Sequence, residues 1–214
     1  MKKTVEIIFA TASPRRVELA RKIKYVTPDG ETARVLAAHG IERITPVFAP
    51  QDVEERTLGS AQATAAANAR AKGESAARST EKPVLAFDTA VGINGVVLGK
   101  PDTRERATEM LRMLCGNTHE VVTAVYFRVG KKIIETSETS FVTFGAFDEK
   151  TVGEYVDSGA PFDKAGGYNI ADAAIRALTV GIRGDFDNIV GMPVCALEKL
   201  IEENIIDGEN GYSY

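Results

Sequence analysis

Ser13-Pro14-Arg15-Arg16 places a hydroxyl, a proline and two guanidinium groups within four residues. Ser13 suits an N-cap and Pro14 the first helical position, so a helix is expected to start there. A helix start offers unpaired backbone N–H groups and a positive dipole end, which favour anions. Arginines oppose that dipole, which leaves two readings. Either an anion such as phosphate is held between the guanidinium forks and the backbone, or both arginines are solvated surface groups. Asp88 is the second point of interest, because it follows the apolar run Pro83-Val84-Leu85-Ala86-Phe87. A buried carboxylate is costly unless paired. It is therefore a turn or cap residue, or a strand-end carboxylate lining a crevice, where it can hold a metal or take a proton.

Lys100 follows Gly99, and Lys164 precedes the Gly166-Gly167 pair. Each alone is no more than a loop lysine. With Asp88, Glu54 and Glu55 they form a set in which cations serve a polyphosphate and carboxylates serve a hard metal ion. That division suits phosphoryl or nucleotidyl chemistry. There is no Walker loop and no dinucleotide fingerprint. The two histidines, His39 and His119, do not build a Ser-His-Asp triad.

Positioning these groups requires alternating strands and helices. Val5–Ala10 reads as a short buried strand, Val17 to Lys24 as helix, Thr27–Gly30 as a turn and Glu31–His39 as a second helix stopped by Gly40. Ile44–Phe48 suits a strand, and Pro50–Glu55 an acidic loop. The alanine-rich stretch Ser60–Arg78 suits a helix. On it Thr64, Asn68 and Lys72 share one face, and a polar stripe of this kind ordinarily faces solvent. Pro83–Phe87 reads as a buried strand. A helix is expected from Asp102 or Thr103, with Ala107, Met110, Leu111 and Leu114 on one face and Gly116 as its stop. Val121–Val129 and Lys132–Phe147 suggest an antiparallel hairpin around Gly130. Glu149–Asp157 reads as helix, Pro161–Tyr168 as turns, Gly184–Asn188 as a loop, Pro193–Glu203 as helix and 207–214 as a flexible tail. The pattern points to an α/β fold with a mixed, twisted sheet flanked by helices. The site is expected in a cleft between the main sheet and the later hairpin.

The 214 residues are 44% hydrophobic and 26% charged, with a net charge of -4. This suits one domain with a substantial core. No apolar run reaches the length of a membrane span, and the N-terminal run is too short for a signal peptide. Cys115 and Cys195 are far apart, which fits a reducing, cytoplasmic setting rather than a disulfide scaffold. Two histidines and two cysteines are a poor zinc set. Mild acidity argues against a general nucleic-acid binder while leaving room for a basic phosphate pocket.

Eight segments together resemble the Maf (septum formation inhibitor) family of nucleoside triphosphate pyrophosphatases. They are Ala12–Leu19, Asp52–Glu55, Ala71-Lys72, Phe87-Asp88-Thr89, Gly99-Lys100-Pro101, Gly116–Thr123, Asp163–Tyr168, and Gly184–Phe186 leading to Val190–Pro193. They stand in the family's order from Ala10 to about Leu200, which implies one Maf-like domain over 1–214 with an ITPase-like cleft between two lobes. The resemblance further implies hydrolysis between the α and β phosphates with a divalent metal, magnesium or manganese. Under it Asp88 is the proton acceptor that activates water. Ser13, Arg15 and Arg16 form the phosphate-binding helix start, Glu55 joins the catalytic or metal-linked shell, and Lys72, Lys100 and Lys164 face the triphosphate. Glu55 and Asp88 are the candidate metal ligands. Arg15 and Thr89 resemble the branch acting on dTTP and UTP rather than the one cleaving 7-methyl-GTP. That branch usually continues Gly-Ile-Gln-Gly after Gly-Tyr, whereas this chain reads Asn169-Ile170-Ala171-Asp172, so Ala171 stands where a glutamine amide would read a base edge. Residues 25–39 look like an insertion, expected as a surface excursion. Homodimers are common among similar proteins, although no patch here identifies an interface. A nucleotide-binding regulator of cell division with little turnover is the alternative reading.

Overall fold

The computed structural model describes residues 3–208. Strand β1 (Lys3–Ala10) runs into α1 (Pro14–Ala20), with Pro14 opening the helix as expected. α1 stops short of Lys24, because Ile23 and Tyr25 are both buried and a spacing of two cannot share one helical face. Asp29 caps α2 (Gly30–Ala38) by accepting the Thr32 N–H at 2.7 Å, and β2 (Ile41–Phe48) follows, parallel to β1. Segment 25–39 is thus no surface excursion. It forms part of the connection between two parallel strands and places Tyr25 and Leu36 in the core.

Ser60 caps α3 (Ala61–Ala77), which leads to β3 (Val84–Ile93). Asp88 therefore lies in the middle of a strand, not at its end. The apolar alternation continues beyond it through Ala90, Val91 and Ile93 to a two-residue turn, where Asn94 (φ 51°) and Gly95 (φ 77°) connect to β4 (Val96–Leu98). α4 (Arg104–Leu114) buries the four predicted apolar residues. β5 (Thr118–Val129) and β6 (Lys132–Phe144) form the expected hairpin, and α5 (Glu149–Asp157) the expected helix. Two 3-10 turns, Ala160–Asp163 and Ala165–Gly167, occupy the turn-rich stretch.

Three short elements have no counterpart in the sequence reading: β4, α6 (Ala173–Leu178) and β7 (Thr179–Arg183), the last mostly exposed and paired to β6. The loop expected at Gly184–Asn188 is partly helical. Asp185 accepts the Asp187 N–H at 2.8 Å and opens α7 (Phe186–Val190), which ends at Gly191 (φ 117°). α8 (Val194–Ile201) closes the fold with a π turn at Glu202–Ile206. The tail expected over 207–214 lies outside the described residues from 209 onward. Among the described residues, no helix is long and apolar enough to cross a membrane.

The strands make one mixed sheet in the order β2-β1-β3-β5-β6-β7, with β4 added to β3. The hairpin strands continue this sheet, so they do not form a separate wall of the cleft. α3 covers one face, and its Ala61, Ala65, Ala69 and Ala76 approach Ala86, Ala90 and Ala124 closely. Gly73 is needed for that approach, since a Cβ there would stand 2.1 Å from the Tyr126 ring. The opposite face carries two separate apolar clusters. Leu85, Phe87, Val125 and Phe127 pack beneath α8, while Val91, Ile93 and Val121 pack beneath α4 and α5. Between them lies a polar seam, the directly opposed pair Thr89 and Thr123.

The edge of β3 is also interrupted at this level. Pairing with β1 ends at Ala86, and pairing with β4 begins at Val91. Residues 87–90 thus have no strand on that side, and the cavity opens there.

Candidate active site

Side chains alternate across a strand, so Asp88 projects from β3 towards α3 with Ala86 and Ala90, while Thr89 projects to the opposite face. Asp88 is only 8% exposed, and its carboxylate is fully engaged. Oδ1 accepts from Lys72 Nζ at 2.5 Å, and Oδ2 accepts from Asn68 Nδ2 at 3.2 Å. A buried carboxylate without such partners would be strongly disfavoured.

The stripe Thr64, Asn68 and Lys72 does not face bulk solvent. Thr64 Oγ1 accepts the Leu58 N–H at 2.9 Å. Asn68 accepts the Arg56 N–H at 2.8 Å and donates to the Arg56 C=O at 3.1 Å. One helix face thereby grips the loop of residues 51–58 and orients Asp88 with the same amide. The grip carries Glu55 inward, where Oε1 meets Lys72 at 2.7 Å and Oε2 meets Lys100 at 3.0 Å. Burial alone would raise the Glu55 carboxyl, but Lys72 and then Lys100 outweigh it and hold it at about 2. Glu54, grouped with Glu55 from sequence, borders a separate depression with Arg70 and Glu74.

The cationic wall comes from α1 and from the turns beyond α5. Arg16 is half-buried, with Nε donating to the Gly191 C=O at 2.7 Å and Nη2 to Thr89 Oγ1 at 3.0 Å. Burial lowers its pKa and the Asp88 charge opposes that shift, so the guanidinium stays charged. Arg15 Nη1 stands 4.0 Å from Asp163. Lys164 donates to the Ala160 C=O at 2.5 Å and pairs with Asp163. Burial opposes ionisation of Asp163, yet Lys164 and Arg15 bring its carboxyl below the usual range. Ser13 sits at the N-cap with an extended backbone, but its hydroxyl makes no capping bond.

Ser13, Arg15, Arg16, Glu55, Lys72, Asp88, Thr89, Lys100 and Lys164 all line one cavity of about 640 Å³. Asn68, Asp163, Tyr168 and Asn169 line it too, and none of these had been assigned a role. Asn68 was the most legible of them. On an alanine-rich helix built for close packing, a polar residue repeated every fourth position has to be satisfied by the protein.

Among the described residues, no three acidic, histidine or cysteine side chains converge as a metal cage. Glu55 and Asp88 instead flank a single ammonium group. Two carboxylates with space for phosphate suit magnesium, which is commonly held by one or two carboxylates plus substrate oxygens.

Ala171 is exposed and lies outside the cavity, so it reads nothing there. Of the stretch 169–172 only Asn169 lines the cavity. Its amide is tied back, donating to Asp172 Oδ1 at 2.8 Å and accepting the Ala171 N–H at 3.2 Å. Neighbouring Tyr168 is braced from behind by His119, whose Nε2 is 2.7 Å from its hydroxyl, with both rings edge-on to Phe144.

His119 is 2% exposed, and burial moves its pKa from 6.5 to about 4. Between those values the unfolded chain binds a proton that the folded chain refuses. Stability is therefore expected to fall by roughly 3 kcal/mol as pH drops from 7 to 4 on this account. Urea unfolding across that range checks it, and His119→Gln should flatten the profile.

The sequence profile described as Maf-like protein matches residues 6–204. A protein of Koribacter versatilis (strain Ellin345) named dTTP/UTP pyrophosphatase is 37% identical over 196 residues, covering 91% of this chain and 92% of that protein. One of the same name from Pyrococcus furiosus is 34% identical over 200 residues, covering 92% and 94%. Another from Thermus thermophilus is 37% identical over 195 residues, covering 91% and 92%.

Proposed function

Because this chain belongs to the Maf-like protein family, we propose that it is a nucleoside triphosphate pyrophosphatase. On this reading it hydrolyses dTTP and UTP between the α and β phosphates, giving the monophosphate and pyrophosphate. The observation that carries this is Asp88, a buried carboxylate held by an amide and an ammonium group on the floor of a cavity with an arginine and lysine wall. A binder has no need of such a group. A water-activating enzyme does, so the regulatory alternative is not favoured.

In this mechanism Asp88 accepts the proton of the attacking water. Asn68 holds one carboxylate oxygen, which fixes the direction of the other. Lys72 lies against both Asp88 and Glu55 and favours the ionised form of Glu55. Arg15, Arg16, Lys100 and Lys164 neutralise phosphate charge as it develops on the leaving pyrophosphate. Glu55 and Asp88 would hold a divalent ion, magnesium or manganese, which supplies Lewis-acid polarisation of the phosphoryl group. Tyr168 and Asn169 border the space left for the nucleoside.

Pyrophosphate release tests the reading, measured with magnesium or manganese on dTTP, UTP, CTP, the purine triphosphates, 7-methyl-GTP and 5-substituted pyrimidine triphosphates. Preference for dTTP and UTP is the expected result. Preference for another base would place base choice in this chain's own Tyr168–Asn169 wall, and no release from any of them would overturn the enzyme reading.

A further inference from the structure

Arg16 is oriented from outside the cavity, by a chain of hydrogen bonds that runs in one direction. Thr123 Oγ1 donates to the Asn188 C=O at 2.9 Å and lies 2.9 Å from Thr89 Oγ1. A hydroxyl has a single hydrogen. With that of Thr123 committed to Asn188, the hydrogen between the two threonines must come from Thr89. The Thr89 oxygen is then the acceptor for Arg16 Nη2 at 3.0 Å. The order is Arg16 to Thr89 to Thr123 to Asn188, each donating to the next.

The far end of this chain is rigid. Thr123 and Asn188 are 0% exposed, and Asn188 Nδ2 donates to the Val121 C=O at 3.2 Å and to Ser140 Oγ at 2.9 Å. α7 is thereby fastened to β5 and β6. Gly191 closes the other side of the guanidinium. A Cβ there would stand 3.2 Å from Thr89 Oγ1 and 3.6 Å from Arg16 Nε, at a φ of 117° that side chains rarely adopt. The frame takes two of the five guanidinium hydrogens, at Nε and Nη2, and leaves three for a ligand.

We propose that Thr123, which does not line the cavity, is a positioning residue that sets the angle at which Arg16 meets the triphosphate. This rests on the phosphate-binding reading of the site. Loss of the Thr123 hydroxyl removes the buried acceptor that fixes the direction of the Thr89 hydroxyl. Thr89 then turns to the Asn188 carbonyl or another acceptor, and Arg16 loses its fixed neighbour.

The test compares Thr123→Val with Thr123→Ser on the magnesium-loaded protein. Thr123→Val should raise KM for dTTP about tenfold and weaken calorimetric binding of inorganic tripolyphosphate by a similar factor. Thr123→Ser, which restores the hydroxyl, should return both to wild-type values. Thr89→Val interrupts the same chain, so adding Thr123→Val to it should raise KM no further. Thr123→Ala serves in place of the valine variant if that one does not fold. Unchanged tripolyphosphate affinity in the hydroxyl-free variant would overturn the proposal, as would a double variant whose effects multiply. A wild-type protein that binds tripolyphosphate but cleaves no nucleotide would sink the enzyme reading alone.

Discussion

Asp88→Asn is expected to lower pyrophosphate release by about 10²- to 10⁴-fold while nucleotide binding survives. Asparagine matches the shape of aspartate and its one carbonyl oxygen can still accept from Lys72, although its NH2 then faces the Asn68 amide and that second hydrogen bond is lost. What it cannot do is take a proton at neutral pH. Removing a negative charge from a cavity walled by Arg15, Arg16, Lys100 and Lys164 also makes that cavity more attractive to a triphosphate. Affinity should therefore hold or tighten as turnover collapses. Single-turnover pyrophosphate release paired with calorimetric titration of dTTP separates the two quantities. A variant with wild-type turnover would remove Asp88 from the role of base.

Lys72→Met is expected to cost about 10²- to 10³-fold in turnover, the range seen when one preorganised electrostatic group is deleted. Its ammonium group touches both Glu55 and Asp88, and only 12% of its side chain is exposed. Without it two carboxylates face one cavity with no charge between them. Glu55 loses its main attractive partner and keeps Lys100, so its pKa should climb from about 2. A carbon-detected titration of the Glu55 carboxyl reads that rise directly. Lys100→Met provides the contrast. Lys100 is 53% exposed and, among the described residues, pairs with Glu55 alone, so its loss should cost about tenfold or less. Equal penalties for the two lysines would mean that contact with Asp88 carries no special weight.

Much of this molecule is legible in local chemistry. Ser60, Thr103 and Asp148 each sit at the N-cap of a helix and accept an N–H three residues on. Gly116, Gly130 and Gly159 end elements with positive φ, and the alternating apolar runs became strands. The resemblance named nine of the residues that line the cavity, whereas residue type and spacing alone left Arg15, Arg16 and Lys72 open between ligand and solvent. Short elements such as β7 were not legible. Its five residues are mostly exposed, and only pairing with β6 makes them a strand.

Tertiary structure alone decided the partnerships. Apolar residues stand on both sides of Asp88, but nothing near it in sequence announces the level where β1 has stopped and β4 has not begun. Long-range pairing sets that opening. The face of α3 that reads as solvated on a lone helix became the grip on a loop and on Asp88, because folding brought donors and acceptors to it from 6 to 20 residues away. Thr123 ends one of the resembling segments, but nothing along the chain gives it a partner. It acquires meaning opposite Thr89 and beneath Asn188, which is 65 residues distant. Hydrogen-bond direction is a property of closed networks, and those close only when the sheet and α7 meet.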